Sequence, residues 1–187
     1  MIIGIDFDGT IADTNSEKSK WIQKELGMKV PPYLCDRTSC VPIIGELDYK
    51  RMCNTVYSKD ITLSLPAFPS SLEVISMLQK SNKLMVITAR TEETLEAAMI
   101  WLSKYPQTKN MEAIGVSKEM HKTEVCYNRG INVLIDDDER HLLDASSLGI
   151  TAILFKQSAP NLSSSNVIHI CGSWDEISSY LQNLEEK

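Results

Sequence analysis

Hydrophobic residues along this 187-residue chain form short apolar runs, separated by longer segments in which apolar positions recur at helical spacing. Five runs have the length and character of buried strands: residues 1–5, 83–87, 111–116, 131–135 and 151–155. The segments between them, of which 95–102 is the clearest, show the i, i+3, i+4, i+7 pattern of amphipathic helices. Alternating strands and helices predict an α/β fold: a Rossmann-like, mostly parallel sheet with helices on both faces.

Several polar residues mark the expected helix ends. The first helix is predicted over about residues 16–26, with Gly27 ending it. Two pairs match the capping-box pattern, in which Ser or Thr precedes Glu by three residues: Thr14 with Glu17, and Ser70 with Glu73. Ser173 and Glu176 are expected to start the last helix.

The stretch between the first strand and the second predicted strand differs from the rest of the chain. Residues 28–69 hold five of the seven prolines and one helical segment, at about 45–58. We therefore expect residues 15–68 to be a small, mainly helical domain inserted into a core of residues 1–14 and 69–187. The Ser-rich stretch 157–166 is interpreted as a connector.

Composition excludes some classes of function. A net charge of −6 and a pI near 5.1 disfavour an extended nucleic-acid-binding surface, but leave room for a small anionic ligand at a local site. Five cysteines without a recognisable secretory leader indicate reduced thiols and a cytoplasmic protein, and no apolar stretch has bilayer-spanning length.

Polar residues with catalytic chemistry follow three of the predicted strands. Asp6 and Asp8 end the first strand, and Thr88 and Asp136 follow two others. The carboxyl ends of parallel strands meet at one edge of the sheet, which Lys122 can approach from a helix start. The carboxylates of Asp6 and Asp8, two residues apart, should repel each other unless a cation or a shared proton offsets their charge. The set suits phosphoryl transfer, with a carboxylate nucleophile, Mg²⁺, and hydroxyl and ammonium donors to the phosphoryl oxygens.

Four segments, in this order, resemble the motifs of the haloacid dehalogenase (HAD) superfamily: residues 6–10 (Asp-Phe-Asp-Gly-Thr), 86–90 (Val-Ile-Thr-Ala-Arg), 121–123 (His-Lys-Thr) and 134–137 (Leu-Ile-Asp-Asp). The resemblance covers residues 1 to about 155. It implies that Asp6 is the nucleophile, that Asp8 is the general acid and then the base, and that Thr88 and Lys122 hold the phosphoryl group. Mg²⁺ would be bound by Asp6, the main-chain carbonyl of Asp8, Asp136 and Asp137, and the substrate by Thr10, Ala89 and Arg90.

The resemblance also gives more specific expectations. A carboxylate at Asp8 points to a phosphohydrolase or a phosphomutase, and its acid role requires a pKa raised by Asp6 or by burial. The 15–68 insertion is at the position of a C1-type cap, which closes over the substrate. Together with the motifs, this short helical cap is similar to the 5'(3')-deoxyribonucleotidase branch.

Some assignments have two interpretations at the sequence level. Lys118 is an alternative to Lys122, and Arg90 could either clamp a substrate phosphate or pair with Glu93. Asp138 is favoured as the cap of the following helix. The spacing of Cys35 and Cys40 invites a zinc site, which the absence of further ligands nearby disfavours.

The predicted cap contains four aromatic residues that could stack on a nucleobase or form the core of the cap: Trp21, Tyr33, Tyr49 and Tyr57.

From the motif residues and the resemblance, we expect a Mg²⁺-dependent phosphatase that forms an aspartyl-phosphate intermediate. Its substrate would be a small phosphorylated metabolite or nucleotide, and the sequence leaves its oligomeric state open. The alternatives are a phosphomutase of the same fold and, from another class, a receiver-like or non-catalytic phosphate-binding module.

Overall fold

A parallel sheet forms the centre of the protein in the computed structural model, which describes residues 1–116, 121–159 and 167–185. Within these residues the sheet has six strands in the order β3-β2-β1-β4-β5-β6. The strands are β1 (Ile2–Ile5), β2 (Lys83–Thr88), β3 (Glu112–Gly115), β4 (Val133–Asp136), β5 (Thr151–Phe155) and β6 (Ile168–Cys171). All pairs are parallel, which confirms the predicted α/β class.

Helices connect the strands. They are α1 (Thr14–Leu26), α2 (Arg37–Ile44), α3 (Glu46–Val56), α4 (Lys59–Ser64), α5 (Ser71–Leu78), α6 (Glu92–Ser103), α7 (Lys122–Asn128), α8 (Glu139–Ser147) and α9 (Trp174–Glu185), with a 3-10 turn at Pro32–Leu34. Two hydrophobic clusters cover the faces of the sheet; one includes Phe7 and Trp101, the other Met85 and Leu142. Burial of these apolar faces is the main source of stability for the core.

Two of the predicted helix caps are wrong. Asp13, not Thr14, caps α1, because its carboxylate accepts the N–H of Ser16 at 3.1 Å. Ser70 has a left-handed backbone (φ 61°) and makes no capping bond to α5. At α9 the Ser173 hydroxyl accepts the N–H of Glu176 at 3.2 Å, as expected of residues that start this helix.

The inserted stretch is mainly helical and has apolar contacts of its own. It contains α2, α3, α4 and nearly all of α1, and Gly27 ends α1 with a left-handed backbone (φ 69°), as predicted. A third hydrophobic cluster, which includes Ile22, Tyr49 and Met52, lies entirely within this stretch. Among the described residues, no helix is both long enough and apolar enough to cross a bilayer.

Candidate active site

A cavity of about 230 Å³ opens where β1, β2 and β4, three neighbouring strands, reach their carboxyl ends. Asp6 directly follows β1, Thr88 ends β2 and Asp136 ends β4. Each side chain is buried, with exposures of 4%, 1% and 1%. Eight of the nine predicted site residues line this cavity: Asp6, Asp8, Thr88, Ala89, Arg90, Lys122, Asp136 and Asp137.

Lys122 links the ends of β1 and β4. Its Nζ donates to Asp6 Oδ1 at 2.5 Å and to Asp136 Oδ2 at 2.7 Å, and its side chain is 1% exposed. Burial lowers the pKa of Lys122, but the charges of Asp136 and Asp6 outweigh that effect and raise the pKa overall. Lys122 is therefore a fixed cation beside the Asp6 carboxylate. Lys118, its alternative in the sequence, lies outside the described residues.

Three buried carboxylates, Asp6, Asp136 and Asp137, each place one oxygen within 4.8 Å of the others. Burial raises the pKa of Asp6, and despite the opposing charge of Lys122 the neighbouring carboxylates help keep it well above its usual value. Burial likewise raises the pKa of Asp137, to about 7. Anionic oxygens that repel one another at short range suit a hard divalent cation, which would offset this repulsion.

The turn after Asp8 lets this cluster form. Gly9 has a left-handed backbone (φ 79°), and a Cβ there would lie 2.2 Å from Asp137 Oδ2 and 2.5 Å from Asn15 Nδ2. The Asn15 amide in turn donates to Asp137 Oδ2 at 2.7 Å. Glycine at this position is therefore a steric requirement of the site.

Asp8 has a different environment from Asp6. The guanidinium of Arg90 donates to both Asp8 oxygens at 2.8 Å, and the Thr14 hydroxyl donates to Oδ1 at 2.8 Å. Burial raises the pKa of Asp8, but the charge and hydrogen bonds of Arg90 outweigh it and leave the pKa below its usual value. The predicted rise of the Asp8 pKa is therefore wrong for this structure, because the sequence did not reveal that Arg90 is its partner.

Arg90 joins the core to the inserted helices. Besides Asp8, it donates to Thr62 Oγ1 of α4 at 2.9 Å, and its Cζ lies 4.9 Å from the centre of the Tyr57 ring. No hydrogen bond or ion pair to Glu93 is present in the described residues, so that interpretation of the sequence is not supported. A contact of Arg90 with substrate stays a prediction.

The remaining predicted residues differ in position. Thr10 is fully buried, does not line the cavity, and its hydroxyl has no hydrogen-bond partner among the described residues. Asp138 caps α8, as predicted, by accepting the N–H of Arg140 at 3.1 Å. Tyr49 and Tyr57 line the cavity, whereas Trp21 and Tyr33 do not.

Several residues of this site were not predicted from the sequence. Lys18 is buried on α1 and faces the cavity, together with Cys53 of α3; Arg140 and His141 also line it. Arg37 lines the cavity too, whereas the sequence favoured a solvated position for it over a phosphate-facing one. A usable signal was present on α1, where the buried positions Thr14, Asn15 and Lys18 are polar rather than apolar. Buried polar residues at helical spacing next to a motif indicate a functional face.

Structural comparison identifies the fold. No family model matches the sequence, and no curated protein sequence matches it. A haloacid dehalogenase-like hydrolase from Streptococcus pneumoniae superposes with a TM-score of 0.66 at 18% identity, over 97% of this chain and 98% of that one. A HAD family hydrolase from Deinococcus radiodurans, with bound phosphate and sodium, gives 0.65 at 11% identity, over 97% and 95%.

A third structure, described as a predicted phosphoglycolate phosphatase from Haemophilus somnus, gives a TM-score of 0.63 at 15% identity, over 97% of both chains. These similarities extend over nearly the whole of each chain, inserted helices included. The chain therefore has the fold of the haloacid dehalogenase superfamily.

Proposed function

We propose that this protein is a Mg²⁺-dependent phosphatase that hydrolyses a small phosphate monoester through an aspartyl-phosphate intermediate. The observation that carries this proposal is the arrangement around Asp6: a buried carboxylate, 2.5 Å from the Lys122 ammonium and close to the carboxylates of Asp136 and Asp137. A nucleophile, a fixed cation and a set of oxygen ligands are the components that phosphoryl transfer needs.

In the proposed first step, an Asp6 oxygen forms a bond to phosphorus while the bond from phosphorus to the leaving oxygen breaks. Asp8 donates a proton to that oxygen. In the second step, water attacks phosphorus, Asp8 takes a proton from the water, and the bond between phosphorus and Asp6 breaks to release phosphate. Arg90 holds Asp8 as an anion here, but the negative charge of a bound phosphate ester would raise the Asp8 pKa.

The other residues position the phosphoryl group. Lys122 and the Thr88 hydroxyl would donate to its oxygens, because both line the cavity beside Asp6. Asp6, Asp136 and Asp137, with the main-chain carbonyl of Asp8, would hold Mg²⁺, which supplies charge neutralisation when bound. Residues 15–68 would act as the cap that excludes water, a role supported by their separate hydrophobic cluster and by the cavity-lining residues they contribute.

The size of the cavity favours a compact substrate. Its 230 Å³ is below the range of about 300–1,000 Å³ that is usual for ligand pockets. Two of the similar structures are consistent with a small phosphate ester: the Deinococcus radiodurans hydrolase has bound phosphate, and the Haemophilus somnus protein is described as a predicted phosphoglycolate phosphatase.

A 5'(3')-nucleotidase is the second candidate, because Tyr49 and Tyr57 line the cavity. The Tyr57 ring, however, already contacts Arg90 and Lys18, at 4.9 and 5.7 Å from the ring centre, which weakens its use for stacking a base. A panel of monoesters, including 5'- and 3'-nucleotides of both sugars, separates these substrates. Release of free phosphate, rather than transfer to a second hydroxyl, separates a phosphatase from a phosphomutase.

The decisive experiment is hydrolysis of p-nitrophenyl phosphate with and without Mg²⁺. We expect activity only with the metal, and a loss of at least about 10³-fold in kcat for Asp6→Asn, which keeps the shape of the side chain and removes the nucleophile. Asp8→Asn should also abolish turnover. Asp144→Asn, at an exposed aspartate of α8, is the matched control. Unchanged activity in Asp6→Asn would overturn the mechanism.

A further inference from the structure

Lys18 differs from every other cation around the cavity. Arg90, Lys122 and Arg140 are paired with Asp8, Asp6 and Asp138, and Arg37 with Glu46. Lys18 is 3% exposed, yet within the described part of the chain no carboxylate lies within 4.0 Å of its Nζ. Lys18 interacts with the charges of Asp137 and Asp8 at longer range, but it forms no ion pair with either, so its buried ammonium group can still pair with an anionic ligand.

The contacts of Lys18 leave it with capacity to bind. Its Nζ donates one hydrogen bond, to Asn15 Oδ1 at 3.0 Å, and lies 5.7 Å from the centre of the Tyr57 ring. An ammonium group has three N–H donors, so the neutral amide oxygen and the ring do not satisfy it. Because Lys18 lines the cavity, the remaining donors are available to a ligand there.

The contacts of Lys18 associate it with Arg90 and Asp8 rather than with Lys122. Lys18 and Arg90 both contact the Tyr57 ring, and Arg90 holds Asp8, the proposed proton donor to the leaving oxygen. Lys122 is the cation beside the nucleophile Asp6. The two ammonium groups are therefore associated with different carboxylates, Lys122 with Asp6 and Lys18 with Asp8.

We infer that Lys18 binds a carboxylate on the leaving group, so that the preferred substrate is a phosphate monoester of a short hydroxy acid. This inference rests on the proposed function and specifies its substrate class. A carboxylate would form the direct ion pair that Lys18 lacks within the described residues, and a short acid fits a cavity of 230 Å³. Lys18 is then a specificity-determining residue, and Asn15 orients it.

The test measures binding, so it does not depend on turnover. Two phosphonates of nearly equal size, 3-phosphonopropanoate and propylphosphonate, differ only in that a carboxylate replaces a methyl group. Calorimetric titration of the Mg²⁺-loaded protein should give an affinity at least about tenfold higher for the carboxylate compound, as expected of a buried charged hydrogen bond. Equal affinities in the wild-type protein would overturn the inference without any variant.

Variants then assign the preference to Lys18. In Lys18→Gln, the ratio of the two affinities should fall to below about threefold, whereas Lys18→Arg should keep a preference because the charge remains. Lys24→Gln, at an exposed lysine of the same helix, removes the same charge and should leave the ratio unchanged. A Lys18→Gln protein that folds, as judged by thermal melting, and retains the full ratio would overturn the inference.

Hydrolysis measurements keep the two proposals separate. Intact turnover of p-nitrophenyl phosphate without a carboxylate preference would overturn only the role of Lys18. A carboxylate preference with no turnover of any ester would support the role of Lys18 in binding and overturn the phosphatase assignment.

Discussion

Two aspartates separated by one residue have opposite pKa shifts because their neighbours differ. Burial raises the pKa of both side chains. For Asp6, the carboxylates of Asp136 and Asp137 add to that effect, whereas for Asp8 the bidentate contact with Arg90 reverses it. The spacing in the sequence predicts that the two carboxylates are close, but not which cation each one contacts.

The ion pair between Arg90 and Asp8 can be tested by substituting a single residue. We expect Arg90→Met to lower the free energy of unfolding by about 3–5 kcal/mol near neutral pH, because Asp8 is left buried without its cation. The native pKa of Asp8 lies below its unfolded value, so the contribution of the pair is present above the unfolded pKa and is lost as pH falls through the native one. Urea denaturation of both proteins between pH 7 and pH 3 measures this difference.

The matched control is Arg129→Met. Arg129 donates to Glu112 at 2.7 Å, but both side chains are nearly half exposed, so the cost should be at most about 1 kcal/mol. An Arg90→Met protein that loses no more stability than this control would show that the Asp8 pair contributes nothing. A loss that stays constant down to pH 3 would contradict the electrostatic explanation.

At the scale of elements, α1 connects the nucleophile turn to the inserted helices. Its first turn supplies Thr14 to Asp8 and Asn15 to Asp137, and its second supplies Lys18 to the cavity. The helix start therefore sets the positions of three site contacts. Asp13 fixes that start through its bond to the N–H of Ser16.

Asp13→Ala should lower the free energy of unfolding by about 1 kcal/mol, because it removes the capping acceptor from α1. Asp13→Asn keeps an acceptor oxygen and should lower the free energy of unfolding by only a few tenths of 1 kcal/mol. The contrasting substitution is Ser70→Gly at α5, where no cap is lost, a left-handed backbone is relieved and only an exposed 3.3 Å hydrogen bond to Asp175 is removed, so we expect no loss of stability. Thermal melting ranks the three variants, and an Asp13→Ala protein as stable as wild type would refute the cap.

The sequence predicted the strands that carry the site better than the other elements. The strands ending at Asp6, Thr88 and Asp136 are continuous apolar runs, because both faces of the sheet are covered there. Strand β6 has only four residues and its two middle ones, His169 and Ile170, are half-buried at the sheet edge, so its apolar signal is weak. Helix α2 was not predicted, because the proline-containing stretch 28–69 showed only one helical segment, at about 45–58, and α2 contains Pro42.

For the whole molecule, polar contacts join the inserted helices to the sheet domain around the cavity. Thr38 donates to Asp138 Oδ1 at 2.7 Å, Arg90 donates to Thr62, and Lys156 forms a buried ion pair with Asp36. None of these contacts could be predicted from the sequence, because their partners are 28 to 120 residues apart. If residues 15–68 are a cap, these contacts hold it closed over Asp6.

The Asp36–Lys156 pair is the contact that most directly tests this closed arrangement. Both residues are buried, with 2% and 9% exposure, so Asp36→Leu and Lys156→Met should each cost about 3–5 kcal/mol by leaving one charge unpaired. The double variant removes both charges and should recover most of that loss. Lys59→Met is the control, since Lys59 reaches Glu96 of α6 at 3.7 Å in an exposed pair that also links the insertion to the core.

Kinetics of the double variant then separate stability from closure. Neither side chain has a role in the proposed steps, although Asp36 lines the cavity and the charge of Lys156 acts on Asp137. Weakened closure should raise KM for p-nitrophenyl phosphate more than it lowers kcat, whereas altered metal binding at Asp137 should raise the Mg²⁺ concentration needed for activity. Lys59→Met should change neither KM nor kcat by more than about twofold. Additive losses in the two single variants and the double variant would mean that the charges do not interact. A double variant that recovers stability and keeps the wild-type KM would show that the pair stabilises the fold without closing the insertion over the site.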